Sequence, residues 1–252
     1  MKNPLGILVV SLLGNLLSLG AELEVREFTA KDGTVVKYRW SAPEKIEPGK
    51  TYPLVLFLHG AGERGDDNTA QLKHGVHSIL TGMAKLDQPV FLIAPQCPKE
   101  RWWTPVDMEK MRLSAAGQPN PLLEGVLALV DETTRTQPVD SKRFYLTGIS
   151  MGGFATWDVL GRIPDKIAAA VPICGGGDSS LAATYKEVPI WAFHGEADPV
   201  VPVRTTQEMI SALEKAGGKP KATYYPGVEH DSWTRTYDDP ALFRWLLDQH
   251  RN

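Results

Sequence analysis

Cysteine is scarce in this chain. Cys97 and Cys174 are the two among 252 residues, too few for a disulfide scaffold and not spaced as a CxxC zinc clasp. Basic charge is not in excess: 27 Lys plus Arg stand against 30 Asp plus Glu, a formal net charge of −3. Nothing general therefore draws the chain to polyanions, and nucleic acid is excluded as an expected partner. Beyond the N-terminal segment no apolar run is long enough to span a bilayer, and there is no internal repeat or low-complexity linker. What is present, 42% hydrophobic and 23% charged residues, is an ordinary globular composition in a chain long enough to bury a full core.

Residues 1–20 have the build of a secretory signal peptide. Lys2 gives a positive start, residues 5–19 are mostly apolar, and Ser18 and Gly20 put small residues before a cut at Ala21. Gly14 and Asn15 interrupt the run, and it falls short of the ~20 residues that cross a bilayer comfortably. A retained anchor is the competing reading. The expected organisation is a leader over 1–20 and a single domain over 21–252, secreted or periplasmic, with no stable membrane insertion once the leader is removed. Removal takes away Lys2 and no acidic residue.

Segments rich in β-branched and aromatic residues alternate with helical periodicity along the rest of the chain. Residues 23–28 and 35–40, joined through Lys31-Asp32-Gly33, predict a hairpin. The short apolar runs 54–58 and 90–94 are of the kind buried on both faces of a parallel sheet. Leu123, Val126, Leu127 and Val130 give residues 121–137 one apolar helical stripe. Further strands are expected at 143–147, 168–173, 190–193 and 222–225, and helices at 153–163, 203–216 and 241–250, with Gly217-Gly218 as a stop. The sum is an open, mainly parallel α/β sheet of about eight strands with helices on both faces. Such sheets bind ligands outside the carboxyl ends of their strands.

Four candidate loops follow strands. Gly148-Ile149-Ser150-Met151-Gly152 lies between a strand and a helix, where a serine on a sharp turn has its hydroxyl pushed out at the top of the sheet. A glycine-rich turn with an N-capping serine is the plain alternative. His59-Gly60-Ala61-Gly62-Glu63-Arg64-Gly65 can turn a backbone N–H toward a developing oxyanion, with Ala61 preferred over Gly62 and the Met151 N–H as the second donor. His59 reads as a loop-holding residue, Glu63 and Arg64 as a loop-fixing ion pair, and Asp66-Asp67-Asn68 as a solvated acidic turn rather than a cation site.

The other two loops are His194 to Pro202 and Gly227 to Trp233. Neutral serine is a poor nucleophile and needs a base, which in turn needs an acid to fix its tautomer. Asp198, just before Pro199, is the preferred acid, with Glu196 and Asp178 as alternatives. Among the histidines, His74 and His77 lie in a polar helical region, His250 is terminal and His194 ends an apolar strand, which leaves His230 as the base. The chain order Ser150, Asp198, His230 is the serine, acid, histidine order of α/β-hydrolases.

Residues 51–250 resemble an α/β-hydrolase-fold serine hydrolase, of the group spanning dienelactone-hydrolase-like proteins, predicted peptidases, phospholipase/carboxylesterases and polyhydroxybutyrate-depolymerase-like esterases. The resemblance rests on His59 to Gly65, Gly148 to Gly153 with Trp157, His194 to Pro202, and Tyr225 to Trp233. It implies acyl transfer through Ser150, His230 and Asp198, without a metal or organic cofactor. Dienelactone hydrolases proper use a cysteine nucleophile, so Ser150 at that position argues against that activity.

Only 14 residues, 175–188, lie between two successive strands, leaving little room for a helical cap. An open cleft suits a bulky or polymeric ester. Trp102 and Trp103, after another strand end, and Trp233 beside His230 are candidate substrate-binding residues, with core packing competing for one of the first pair. Trp157 and Trp245 read as core, and Cys174 as a small buried residue. The expected substrate is a small-molecule or polysaccharide-linked ester, feruloyl or acetyl in kind, or a broad range of short-chain esters. A serine peptidase and a non-catalytic ligand-binding protein of the same fold are the alternatives.

Overall fold

The computed structural model describes residues 23–114 and 116–251; the leader expected over 1–20 lies outside the described residues. The run Tyr52–Leu58 shows how the core is partitioned. Every residue of this strand is buried, with Leu54, Leu56 and Leu58 facing one apolar cluster and Val55 and Phe57 facing another. A strand with side chains of period two that is apolar at both phases must be covered on both faces.

The chain order is β1 (Glu24–Thr29), β2 (Val35–Ser41), β3 (Tyr52–Leu58), α1 (Val76–Ala84), β4 (Phe91–Pro95), β5 (Val106–Asp107), β6 (Arg112–Leu113), α2 (Pro121–Thr136), β7 (Val139–Ile149), α3 (Met151–Arg162), β8 (Ala169–Ile173), β9 (Trp191–Gly195), α4 (Arg204–Lys215), β10 (Lys221–Tyr225), α5 (Trp233–Asp238) and α6 (Pro240–Leu247). Eight strands form one sheet in the order β1-β2-β4-β3-β7-β8-β9-β10. β1, β2 and β4 pair antiparallel, and every pairing from β4 to β10 is parallel. Apolar residues of α2, α3 and α4 pack on the face carrying Leu54 and Leu56, and those of α1, α5 and α6 on the face carrying Val55 and Phe57. The expected α/β sheet with helices on both faces is therefore present.

Boundaries moved where local chemistry outweighs periodicity. β7 is longer than the expected 143–147 because Val139 pairs with Tyr52 ahead of a register shift that leaves Asp140, Ser141 and Lys142 outside the core. α2 starts sharply: the Asn120 side chain accepts from the Leu123 N–H at 3.3 Å, Glu124 accepts from the Asn120 N–H at 3.1 Å, and Pro121 occupies the first turn. The two-residue strands β5 and β6 and the short α5 carry no periodic signal and were not expected. The segment between β8 and β9 holds one six-residue 3-10 turn, Ser179–Thr184. Cys97 and Cys174 are free and buried in opposite clusters, so they do not pair.

Leu56 sits in the middle of this sheet with no exposure, whereas Val25 on the outer strand is 64% exposed. Leu56→Ala is expected to lower the unfolding free energy by about 2–5 kcal/mol. Val25→Ala should change it by no more than about 0.5 kcal/mol. Urea denaturation of both variants checks the assignment of the core.

Candidate active site

β7 ends at Ile149 and α3 begins at Met151, so Ser150 is the single residue that turns strand into helix. It does so at φ 52°, ψ −115°, a conformation that L side chains rarely adopt. Close packing imposes it. A Cβ added at Gly152 would stand 1.9 Å from the Leu58 carbonyl oxygen, and one added at Gly148 would stand 2.3 Å from the Gly152 oxygen. The first turn of α3 is thus pressed against the end of β3, and only glycine fits at either position. The Ser150 N–H donates to the Ile173 carbonyl at 3.0 Å, which ties the turn to β8 as well.

Three strand ends then deliver three side chains. His230 Nε2 lies 2.9 Å from Ser150 Oγ, and His230 Nδ1 lies 2.7 Å from Asp198 Oδ2. A carboxylate can only accept, so Nδ1 carries the proton and Nε2 is left to accept from the serine hydroxyl. The loops carrying the acid and the histidine are laced together by the Glu196 N–H to Tyr225 O and the Ala197 N–H to Val228 O, both at 3.0 Å. The alternative acids fall away: Glu196 is exposed, and Asp178 caps the 3-10 turn through the Ser180 N–H at 3.0 Å and its hydroxyl at 2.6 Å.

Asp198 has four donors. Its Oδ1 accepts from the Val200 and Val201 amides at 2.8 and 2.9 Å, and its Oδ2 faces His194 Nε2 at 3.2 Å as well as His230. Burial pushes its pKa up, but the hydrogen bonds from His194, His230, Val201 and Val200 outweigh that and hold it below the usual carboxylate range. His194 is itself fully buried, with Nε2 2.8 Å from Val201 O and Nδ1 2.7 Å from Thr206 Oγ1.

The loop after β3 is held from beneath. His59 is fully buried; its Nδ1–H donates to the Gly60 carbonyl at 2.6 Å and its Nε2 accepts from the Cys97 N–H at 2.9 Å. Burial depresses its pKa to about 4. Because the Gly60 oxygen is turned toward His59, the N–H of the same trans peptide, that of Ala61, points the opposite way. Ala61 opens the 3-10 turn Ala61–Glu63 and Met151 opens α3, so both amides stand where no intrahelical acceptor exists.

Two expectations change here. Trp103 is fully buried and donates its indole N–H to the His59 carbonyl at 3.1 Å; it packs under the loop and cannot touch substrate. Glu63 and Arg64 do not pair. Arg64 donates from Nε to Ala61 O at 2.9 Å and lies over the Trp102 ring at 5.1 Å, while the buried Glu63 faces His74 Nε2 at 3.7 Å. The half-buried Trp233, whose ring centre is 5.3 Å from that of His230, lies beside the site, and Trp102, 36% exposed, lies against Arg64. Asp67 is engaged with the Thr69 and Ala70 amides and Gln96, as the acidic-turn reading expects. Among the described residues, the one group of His, Cys, Asp and Glu side chains gathered closely enough to hold a metal ion is Cys174, Asp198 and His230, within 4.8 Å of one another. Two of the three already share a proton, and burial raises the Cys174 thiol well above its ordinary pKa.

Residues 105–241 match the dienelactone hydrolase family, more than half of the chain. The chain belongs to the dienelactone hydrolase family. Among solved structures, this family member is similar to a thermostable esterase, with a TM-score of 0.83 and 37% identity over 91% of this chain and 63% of that one. It is 36% identical over 76 residues to a bifunctional acetylxylan esterase/xylanase of Neocallimastix patriciarum, covering 30% of this chain and 11% of that protein. It is 24% identical to an uncharacterized peptidase of Bacillus subtilis, over 81% of this chain and 35% of that protein. The chain thus spans about a third or less of the length of these two relatives.

His59 yields a stability prediction. It stays neutral in the fold until about pH 4 but takes up a proton near 6.5 when unfolded, so the unfolded state binds more protons between those values and stability falls as pH falls. The loss from pH 7 to pH 4 should approach roughly 3 kcal/mol. In His59→Asn that part of the slope should vanish; denaturation midpoints across this range that fall as steeply in the variant would assign the slope to another group.

Proposed function

We propose that the protein is a serine carboxylic-ester hydrolase working through an acyl-enzyme. The observation that carries this reading is the unbroken hydrogen-bond chain from Ser150 Oγ through His230 to Asp198, seated on a strained strand-to-helix turn. His230 Nε2 takes the hydroxyl proton as Ser150 attacks the ester carbonyl, and the Ala61 and Met151 amides hold the oxyanion. Asp198 keeps the imidazole in the Nδ1–H tautomer and stabilises its charged form. His230 then hands its proton to the departing alcohol, and water repeats the sequence on the acyl group.

The favoured substrates are acetyl or feruloyl esters of polysaccharides, with short-chain esters as the broader class. Support comes from the short segment between β8 and β9, from the exposed edge of Trp102, and from the similarity to an acetylxylan esterase/xylanase. The leader-like residues 1–20 support export to the periplasm or medium, where such substrates would be met. The similarity to a peptidase of Bacillus subtilis favours amide hydrolysis as the second reading. A panel of p-nitrophenyl acetate, methyl ferulate, acetylated xylan and peptide anilides separates the two, and turnover of anilides in preference to esters would reverse the order.

Ser150→Ala should abolish both ester turnover and labelling by a fluorophosphonate probe while the circular dichroism spectrum is kept; a mutant that still hydrolyses esters would sink the assignment. Asp198→Asn should lower kcat by about a thousandfold or more, because an amide nitrogen facing His230 repels the Nδ1–H tautomer. Steady-state kinetics on p-nitrophenyl acetate measures the loss.

A further inference from the structure

Glu63 is a buried carboxylate left without a hydrogen bond. Its side chain is 7% exposed, it accepts no hydrogen bond among the described residues, and its ion-pair-range neighbour there is His74 Nε2 at 3.7 Å. The small exposed part of this carboxylate leaves it open to a donor arriving from the solvent side. Its position says where that partner would come from. A Cβ added at Gly60 would stand 3.0 Å from Glu63 Oε2 and 3.5 Å from Ser150 Cβ, so the carboxylate and the serine border the same glycine. From Glu63 the contacts continue through His74 to the Trp233 ring, with centres 5.4 Å apart, and from Trp233 to His230 at 5.3 Å. Ser150, His230, Trp233, His74, Glu63 and Gly60 thus form a chain of neighbours that begins and ends at the serine.

We infer that Glu63 and His74 form a subsite for a hydroxyl group of the leaving alcohol, so that the enzyme selects esters of polyols, sugars above all, over esters of simple alcohols. The inference rests on the serine ester hydrolase reading. The separation of 3.7 Å is too long for a mutual hydrogen bond, and an oxygen set to one side of the pair can lie within hydrogen-bond distance of both atoms. A hydroxyl there donates to the carboxylate and accepts from the imidazole N–H, and the indole of Trp233 offers an apolar surface to the C–H face of a sugar ring. An ammonium group, quaternary ones included, has no lone pair, so it meets the carboxylate by charge and leaves the imidazole N–H without an acceptor. No group outside this chain of neighbours is required, and the loop's own support comes from His59 and Trp103, which lie beneath it.

The test compares acetate esters that share an acyl group and differ in the alcohol: methyl 2-O-acetyl-β-xylopyranoside, cyclohexyl acetate and acetylcholine. The wild-type enzyme should favour the xyloside over cyclohexyl acetate in kcat/KM, mostly through KM, and Glu63→Gln should cut that preference at least about tenfold, the worth of a hydrogen bond to a charged group. His74→Phe should cut it as well, and His74→Gln, which keeps an N–H donor, should restore part of it. A preference taken as a ratio on one sample does not depend on how much of that sample is folded. A xyloside preference absent from the wild type, or unchanged in Glu63→Gln, would overturn the subsite while cyclohexyl acetate turnover leaves the esterase reading standing. A preference for acetylcholine that disappears in Glu63→Gln would overturn it in favour of a cation site. Failure to hydrolyse any of the three, with Ser150 unlabelled by a fluorophosphonate, would remove the underlying reading and the subsite with it.

Discussion

The closeness of α3 to the strand ends is the constraint on which everything else rests. Ser150 holds a backbone conformation that costs on the order of 1–3 kcal/mol, and such strain persists only where the surroundings overdetermine it. Here the surroundings are backbone: the Leu58 oxygen against Gly152, the Gly152 oxygen against Gly148, and the Ile173 oxygen accepting from the Ser150 N–H. β3 and β8 flank β7 in the sheet, so the turn is gripped from both sides. The serine side chain therefore projects beyond the sheet because the backbone beneath it has nowhere else to go, and the amide of Met151 is set by the same packing.

A second constraint lies one layer back. Burial opposes the charge on Asp198, so an acid that serves His230 gains from further help. Two backbone amides and His194 supply it, and the acid is held in place before His230 is added. His194 in turn is fastened by Thr206 at the start of α4 and by the Val201 carbonyl, so the orientation of the carboxylate is inherited from the packing of α4 on the sheet. The acid position is thus defined by regular structure, although it sits on a loop.

The parts of this arrangement that were legible in the amino-acid sequence are those written in local pattern. Runs such as Leu54 to Leu58 name a two-faced strand by composition alone, and the glycines around Ser150 mark a turn too tight for side chains. The order Ser150, Asp198, His230 along the chain marked the three loops to bring together, and the parallel sheet makes their ends converge. Three-dimensional choices were not legible. Nothing in Trp102-Trp103 says which indole turns inward; the decision is made by the His59 carbonyl, 44 positions earlier, which offers Trp103 a buried acceptor. Adjacent opposite charges at Glu63 and Arg64 invite pairing on paper, yet the 3-10 turn separates them, sending the guanidinium to Ala61 O and Trp102 and the carboxylate toward His74. The strands β5 and β6 are held by contacts around them, with Thr104 donating to the buried Asp158 at 2.7 Å, so no periodicity could announce them.

His59 joins these layers. One neutral imidazole accepts the Cys97 amide and donates to the Gly60 carbonyl, and through that carbonyl it sets the direction of the Ala61 N–H. Protonating it would cost the Cys97 contact, because an imidazolium has no lone pair to accept with. The loop that would meet an oxyanion is therefore tied to the protonation state of a residue that never needs to see substrate. Acid therefore acts on such a site through His59, by loosening the loop and the fold beneath it. Burial keeps that protonation near pH 4 in the folded protein, so the loop that carries the Ala61 N–H holds its geometry at neutral pH.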